Sequence, residues 1–175
     1  REETFASNRV RHAIRTHIIS YVRPDGTLAA RKLEAFSNQG AYASHGHGIV
    51  AKGMNAFPQL YPCPNVECDS WTVYTNRPSA GAMRGYGIPQ AMFAGECHMD
   101  DICKAIGMSP LEFRRKNLMP MGYVDGFSKN ELYSDTFNQC MDKALEMLDY
   151  RKKFEEYQNQ TGPVRKGVGL AVFWY

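Results

Sequence analysis

The sequence predicts an α+β fold in which an antiparallel hairpin and further strands pack with three or more helices. Two patterns carry this prediction. Apolar and polar residues alternate over residues 13–22 and 66–75, which is typical of strands. Apolar residues recur every three or four positions after Pro89, which is typical of amphipathic helices.

The early part of the chain predicts a β-hairpin. Ile14, Ile18 and Val22 share one face of a strand at 13–22, and residues 27–36 form its partner strand. Arg-Pro-Asp-Gly at 23–26 is a turn signal, because proline presets φ and glycine accepts a positive φ.

The stretch from 37 to 53 is rich in small residues, and the sequence predicts a short helix at 49–57. Within it, residues 46–51 match the loose dinucleotide pattern G-x-G-x-x-A, and Glu67 lies near the distance at which such sites carry an acid. A nicotinamide dinucleotide domain is therefore one functional hypothesis. It requires a βαβ unit, and we expect the three prolines between 58 and 64 to oppose one.

The second half of the chain is mainly helical in its pattern. Pro89 starts a helix that ends before Gly107, a natural C-terminal cap. Ser109, followed by proline and then Glu112, has the form of a capping box that starts a short helix to about Leu118. The remaining predicted elements are a helix at 135–150, a charged helical stretch at 151–160 and a last strand from about Gly167.

Residues 79–90 hold the densest chemistry in the chain. A strand, a glycine-rich loop and a helix in this order direct backbone N–H groups towards one point, which suits an anionic or polarised ligand. Gly85 and Gly87 allow close approach, Arg84 adds charge-assisted hydrogen bonds, and Tyr86 offers a ring to a planar ligand. A tight turn with an exposed arginine explains the same residues, and the residues alone favour the two interpretations about equally.

No constellation of side chains predicts a catalytic centre or a metal site. His45 and His47 lie two residues apart with no third ligand at a recognised spacing, and Cys63 and Cys68 do not have the spacing of a zinc ribbon. Paired carboxylates, a nucleophile elbow and a phosphate-binding loop are absent from the sequence. We therefore assign no metal ligand and no catalytic residue.

Composition limits the classes of protein that are possible. The chain has 175 residues, of which 43% are hydrophobic, so global disorder is excluded. The net charge of +3 is dispersed among acidic residues, which favours solvated faces over a nucleic-acid surface. Five cysteines, an odd number, and the lack of a secretory segment favour the cytoplasm. No apolar run approaches the roughly 18 residues of a membrane span.

Residues 81–90, Gly-Ala-Met-Arg-Gly-Tyr-Gly-Ile-Pro-Gln, resemble a segment of molybdenum hydroxylases of the xanthine dehydrogenase and aldehyde oxidase family. The family form is close to A-F-R-G-(F/Y)-G-x-P-Q and lies beside molybdenum. The resemblance continues through P-x-E-x-R-x-x-N at 110–117 and through Arg11-His12, and it covers nearly the whole chain. It is closest to bacterial xanthine dehydrogenase-like molybdenum-binding subunits. It implies that residues 1–175 are an internal fragment of a molybdenum-cofactor-binding domain, a molybdopterin-binding domain, in a larger subunit.

The resemblance also implies which residues form the site. Its cofactor-binding positions fall on Met83, Arg84, Gly85, Tyr86 and Gly87. Met83 and Tyr86 are in addition the substrate-binding positions, where xanthine-type enzymes have two phenylalanines that sandwich the purine. Met83 has no ring, so the sandwich is one-sided. The substrate-orienting arginine of the family has its counterpart near Lys52, whose neighbours do not match, and Lys52 is not assigned to the site.

The implied activity is hydroxylation of purines or related N-heterocycles with water-derived oxygen. The implied cofactor is molybdenum-molybdopterin, in its simple or cytosine dinucleotide form. The implied partners are iron–sulfur and FAD subunits or domains, in a homo-oligomeric cytoplasmic complex that binds neither nucleic acid nor membrane. The catalytic glutamate of the family falls outside these residues, so we expect the isolated chain to be inactive.

An alternative from a different class is a non-catalytic basic interaction module. Its basic clusters would meet an acidic partner or nucleic acid, and a salt-dependent gel shift would favour it. The basic groups along the chain are Arg9, Arg11 and Arg15, then Arg31-Lys32, Arg114-Arg115-Lys116, Arg151-Lys152-Lys153 and Arg165-Lys166.

Overall fold

The computed structural model describes residues 1–126, 128–134 and 136–175, which form two compact units. The first comprises residues 1–118 with 173–175, and the second comprises residues 119–172. The mixed α and β architecture confirms the predicted fold class. The elements of the first unit are α1 (Glu2–Ser7), β1 (Ile14–Val22), β2 (Leu28–Gly40), α2 (Gly46–Leu60), β3 (Asn65–Tyr74), α3 (Ile88–Ile106) and α4 (Pro110–Asn117).

The first unit is built on a three-stranded sheet in the order β1-β2-β3. β1 and β2 pair antiparallel, with Ile18 opposite Leu33, so the predicted hairpin is confirmed. β2 runs four residues further than the pattern predicted. Polar residues break the alternation there, but Ser37 and Asn38 pair with β3, and Ser37 is buried.

The hairpin turn is held by its own residues and by the end of α4. Gly26 has a φ of +85° and donates its N–H to the Arg23 carbonyl at 2.8 Å. Hydrogen bonds from the backbone N–H and hydroxyl of Thr27 lower the pKa of Asp25 to about 2. Asn117 accepts from the Leu28 N–H at 2.9 Å and donates to the Gly26 carbonyl at 3.0 Å. The Asn117 amide therefore joins α4 to the turn.

α2 connects two parallel strands, β2 and β3, so the expectation that prolines oppose a βαβ unit was wrong. Pro58 lies in the last turn of α2, where it removes only the hydrogen bond to the Met54 carbonyl. The thiol of Cys68 approaches that carbonyl oxygen at 4.0 Å. The other two prolines come after α2 has ended and before β3 begins.

The βαβ unit nevertheless lacks the features of a dinucleotide site. Gly46 and Gly48 lie within α2, and the Gln39 side chain occupies the space beside Gly46. The Glu67 carboxylate lies 2.8 Å from Lys32 in an ion pair. The glycines therefore serve packing, and the acid is already partnered.

α3 and α4 lie close to their predicted positions. Proline occupies the first turn of both helices, and Gly107 ends α3 with a φ of +68°. The predicted capping box is not formed, because the Ser109 side chain makes no cap hydrogen bond. Proline at the first helical position presets φ and has no N–H to satisfy, so α4 begins without that bond.

A buried ionic cluster joins the C-terminal end of α2 to α3 and α4. The side chain of Arg114 is fully buried, and its Nε lies 2.8 Å from Glu96 and its Nη2 lies 2.9 Å from Asp100. The Tyr61 hydroxyl donates to the other Glu96 oxygen at 2.6 Å. Burial, followed by the Glu96 charge, raises the pKa of Tyr61, so the phenol remains a donor.

A second buried arginine fastens β2 to α2. Arg31 donates to the carbonyls of Phe57 and Tyr61 at 3.2 and 3.1 Å, and its guanidinium lies 3.9 Å from the Phe57 ring centroid. Burial lowers the pKa of Arg31 to about 10, and it remains charged at neutral pH. Both arginines therefore act inside the unit and not as surface charge.

α2 and α3 approach each other backbone to backbone. A Cβ on Gly87 would overlap the Ile49 carbonyl oxygen, and a Cβ on Gly53 would lie 2.6 Å from the Gly87 carbonyl oxygen. Gly87 also has a φ of +92°, which an L side chain rarely adopts. Glycine is required at this position both by space and by conformation.

The second unit contains α5 (Thr136–Leu148) and α6 (Tyr150–Glu156). The predicted start of α5 at Asp135 lies outside the described residues. The predicted last strand was wrong, because residues 167–175 pair with no other described strand. Their alternating half-buried and exposed pattern remains, so alternation alone did not make a strand. No helix in the described ranges is long and apolar enough to cross a membrane.

Replacing Arg114 tests the ionic cluster. Arg114→Leu leaves the buried Glu96 carboxylate without its main cation, and we expect a loss of about 3–5 kcal/mol in the free energy of unfolding. Urea denaturation measures it, and Arg115→Ala at the neighbouring exposed arginine is the control. A loss for Arg114→Leu no larger than for Arg115→Ala would contradict the assignment.

Replacing Gly87 tests the close approach of α2 and α3. We expect Gly107→Ala, which has a positive φ and open space, to cost about 1–2 kcal/mol. Gly87→Ala meets the same conformational penalty plus overlap with Ile49, which adds about 1–3 kcal/mol. Denaturant unfolding of the two variants side by side separates the contributions, and equal losses would exclude the overlap.

Candidate functional site

The loop of residues 81–87, which connects to the start of α3, is fixed at its entry by two neighbouring segments. The Ala80 N–H donates to the Gln39 carbonyl at 2.9 Å, and the Gly81 N–H donates to the Val10 carbonyl at 3.0 Å. The Gln39 side chain donates to the Ala80 carbonyl at 3.1 Å. Backbone and side-chain bonds from both sides thus hold the entry.

The loop itself contains three consecutive residues with left-handed backbone. The φ angles of Gly85, Tyr86 and Gly87 are +94°, +45° and +92°. The Tyr86 N–H donates to the Met83 carbonyl at 2.8 Å, and the Ile88 N–H donates to the Gly85 carbonyl at 3.0 Å. Among the described residues, few with a side chain have a positive φ, and Tyr86 is one of them. This backbone conformation costs energy and often marks functional sites.

Arg11 controls the direction of one peptide group in the loop. Its guanidinium donates to the Arg84 carbonyl at 2.8 Å and lies 3.4 Å from the side-chain oxygen of Gln90. In a trans peptide the N–H points opposite to the carbonyl, so the Gly85 N–H points away from Arg11. That N–H donates to no other described residue. The Gly85 N–H is therefore a donor that the described residues leave available.

A buried histidine, His12, is hydrogen-bonded to residues that contact the loop. His12 is 2% exposed, its Nε2 lies 3.3 Å from the side-chain oxygen of Gln39, and its carbonyl accepts from Gln90 at 3.1 Å. The His12 Nδ1 has no partner among the described residues. Sequence reasoning did not assign these residues, and the only signal was that Arg11-His12 fits the resembled family.

Tyr86 extends from the loop to the N-terminal turn of α2. Its hydroxyl lies 3.2 Å from the Nδ1 of His45, and the two rings meet edge to face with centroids 6.5 Å apart. A Cβ on Gly48 would lie 3.2 Å from the same hydroxyl. The end of the Tyr86 side chain is thus held between a histidine and a glycine.

All five predicted site residues, from Met83 to Gly87, lie in this one loop. Met83 is 44% exposed and the Arg84 side chain is exposed, so both are accessible to a ligand. Lys52, which was not assigned to the site, has its amino group 5.4 Å from the ring centroid of Tyr175. No group of three His, Cys, Asp or Glu within the described ranges could hold a metal ion.

A separate groove of about 410 Å³ lies between β1 and α3. Its lining includes Ile18, Phe93 and His98. Gln90 also lines the groove, and its side chain bonds to Arg11, which in turn binds the loop. Residues 83–87 do not line it. The loop therefore lies outside this groove.

The chain is similar to known proteins over its whole length. Residues 1–118 match the family model of the molybdopterin cofactor-binding domain. The chain is 43% identical, over all 175 residues, to the putative xanthine dehydrogenase molybdenum-binding subunit XdhA of Escherichia coli (strain K12), and covers 23% of that protein. It is 34% identical over 156 residues to the nicotinate dehydrogenase large molybdopterin subunit of Eubacterium barkeri, covering 87% of this chain and 37% of that one.

Solved structures share the fold of this chain. The aldehyde oxidoreductase of Desulfovibrio gigas superposes with a TM-score of 0.76 at 31% identity, over 85% of this chain and 16% of that one. The chain thus spans about a quarter or less of the E. coli and D. gigas relatives. Because the family model covers residues 1–118, the loop of residues 81–87 included, the chain belongs to the molybdopterin cofactor-binding domain family.

Proposed function

We propose that this chain forms one wall of the cofactor and substrate site in the molybdenum subunit of an oxidoreductase that hydroxylates N-heterocycles. The observation that carries the proposal is the Arg84–Gly85 peptide, whose carbonyl is bound by Arg11 and whose N–H is left for a ligand. Fixed backbone donors of this kind suit electron-rich oxygen or sulfur atoms.

The residues present fit a molybdenum cofactor bound through its own ligands. The loop offers N–H donors and carries no histidine or cysteine that would coordinate a metal directly. Gly85 has a φ of +94°, and a Cβ there would lie 2.5 Å from the Pro89 ring, so glycine is required and no side chain covers this peptide. When bound, the cofactor supplies oxidative hydroxylation with oxygen from water.

The chain's own residues would bind and orient. The Arg84–Gly85 peptide faces the cofactor through the Gly85 N–H, with Gly87 allowing the loop to turn into α3. Met83 and Tyr86 face the substrate, and Tyr86 stacks against a planar ring while Met83 forms a softer contact. The names of two relatives, xanthine dehydrogenase and nicotinate dehydrogenase, indicate heterocyclic substrates, and we carry that class over to this chain.

The resemblance to molybdenum hydroxylases supports a proposal for the wider assembly. We propose iron–sulfur and FAD subunits or domains as electron acceptors, a homo-oligomeric complex in the cytoplasm, and a pterin in its simple or cytosine dinucleotide form. The catalytic glutamate would lie in another segment of the full-length protein.

The basic interaction module is not supported. Two of its five basic groups, Arg31-Lys32 and Arg114-Arg115-Lys116, are divided by burial and ion pairs. Arg31 and Arg114 are buried, Lys32 lies 2.8 Å from Glu67, and Lys116 lies 3.3 Å from Asp25. These residues stabilise the first unit and do not form a continuous basic surface.

Replacing Arg11 in the full-length complex tests the proposal. We expect the unaltered complex to hold about one molybdenum per subunit and to place ¹⁸O from labelled water into a heterocyclic product. Arg11→Met should lower molybdenum affinity or turnover by about 10- to 100-fold, because the Arg84–Gly85 peptide is released. Arg15→Met, an exposed arginine on β1, is the control. Absence of molybdenum from the unaltered complex, measured by elemental mass spectrometry, would refute the function.

The isolated 175-residue chain provides an independent test. We expect it to be inactive and to retain molybdenum far below stoichiometric amounts, because one wall supplies only part of the contacts to the cofactor. Elemental analysis after reconstitution with cofactor measures the ratio. Stoichiometric, tightly held molybdenum would contradict this expectation.

A further inference from the structure

The Tyr86 side chain is constrained at both of its ends. The positive φ of Tyr86 sets the direction in which the side chain leaves the backbone. At the other end, the His45 Nδ1 lies 3.2 Å from the hydroxyl, within hydrogen-bond distance. The ring is therefore constrained both at its base and at its tip.

The N-terminal turn of α2 provides the space for this contact. His45 is the residue before the first residue of α2, and Gly48 lies one turn later. A methyl group on Gly48 would come within 3.2 Å of the Tyr86 hydroxyl, a distance that forces one neighbour to move. The bare backbone at Gly48 lets the hydroxyl reach the histidine.

His47 shows that this arrangement is specific to one histidine. It lies two residues after His45, is exposed, and makes neither a hydrogen bond nor a ring contact with Tyr86. The two histidines therefore form a matched pair for experiment. They have the same chemistry and lie at the same helix end, but only one of them touches the ring.

We infer that His45 is a positioning residue that holds the Tyr86 ring for stacking against planar heteroaromatic substrates. The inference rests on the proposed function, in which Tyr86 faces the substrate. A ring held in advance loses little freedom when a flat substrate stacks on it, so the benefit falls on binding. A small aliphatic aldehyde has no ring to stack and gains nothing from the pair.

Steady-state kinetics of the full-length complex with xanthine, nicotinate and acetaldehyde test the inference. His45→Ala should raise KM for the turned-over heterocycle about five- to tenfold, leave its kcat within about twofold, and leave kcat/KM for acetaldehyde unchanged. Tyr86→Phe should raise KM for the heterocycle by a similar factor, and the double variant should raise it no more than either single one. His45→Asn, whose side-chain amide can accept or donate a hydrogen bond in place of Nδ1, should restore KM to within about twofold. His47→Ala should match the unaltered enzyme. Equal losses on heterocycle and aldehyde, or no loss for His45→Ala, would overturn the inference.

A measurement without cofactor separates this inference from the proposed function. In a double-mutant cycle on urea unfolding, a neutral hydrogen bond between His45 and Tyr86 should couple the two sites by about two- to tenfold in the folding equilibrium constant. Additive effects would overturn the positioning role whatever the enzyme does. If coupling is present but the complex holds no molybdenum and oxidises no substrate, the proposed function is wrong, but the interaction between His45 and Tyr86 is confirmed.

Discussion

The contact between the backbones of α2 and the start of α3 governs the arrangement of the first unit. Gly53 faces the Gly87 carbonyl, and Gly87 faces the Ile49 carbonyl, so no side chain separates the two segments. This short separation brings the N-terminal turn of α2 over the loop. The contact of Tyr86 with His45 depends on it, since a wider spacing would move the hydroxyl out of reach.

Buried charges maintain this arrangement from the opposite end of α2. Tyr61 joins the Glu96 and Arg114 cluster, and Arg31 binds the last carbonyls of α2. Buried ion pairs add little net stability, but removing one partner is costly, so they favour one geometry over its alternatives. The helix is thus held by glycine contacts near its middle and by ions at its C-terminal end.

The sequence predicted the hairpin, the positions of α3 and α4, and the location of the glycine-rich loop, because each depends on local patterns. It did not predict the parallel β2–α2–β3 connection, since a proline in the last turn of a helix costs little and proline alone could not reveal that position. The roles of Arg11 and His45 were also missed. Arg11 is 73 residues from the carbonyl it binds, and His45 is 41 residues from Tyr86. Such pairs arise from tertiary packing and have no local signal. The prediction of a last strand was wrong because a strand requires a hydrogen-bonding partner as well as an alternating pattern.

The Asn117 bridge has a consequence for how the chain is made. Asn117 supplies the hydrogen bonds that close the turn at Gly26 and Leu28, about 90 residues earlier in the sequence. During synthesis the hairpin emerges from the ribosome long before this side chain exists. Contacts over such long separations form late and slow folding. The N-terminal hairpin therefore waits, with its turn incompletely bonded, until α4 has been translated, and the first 118 residues complete their folding together rather than in order of synthesis.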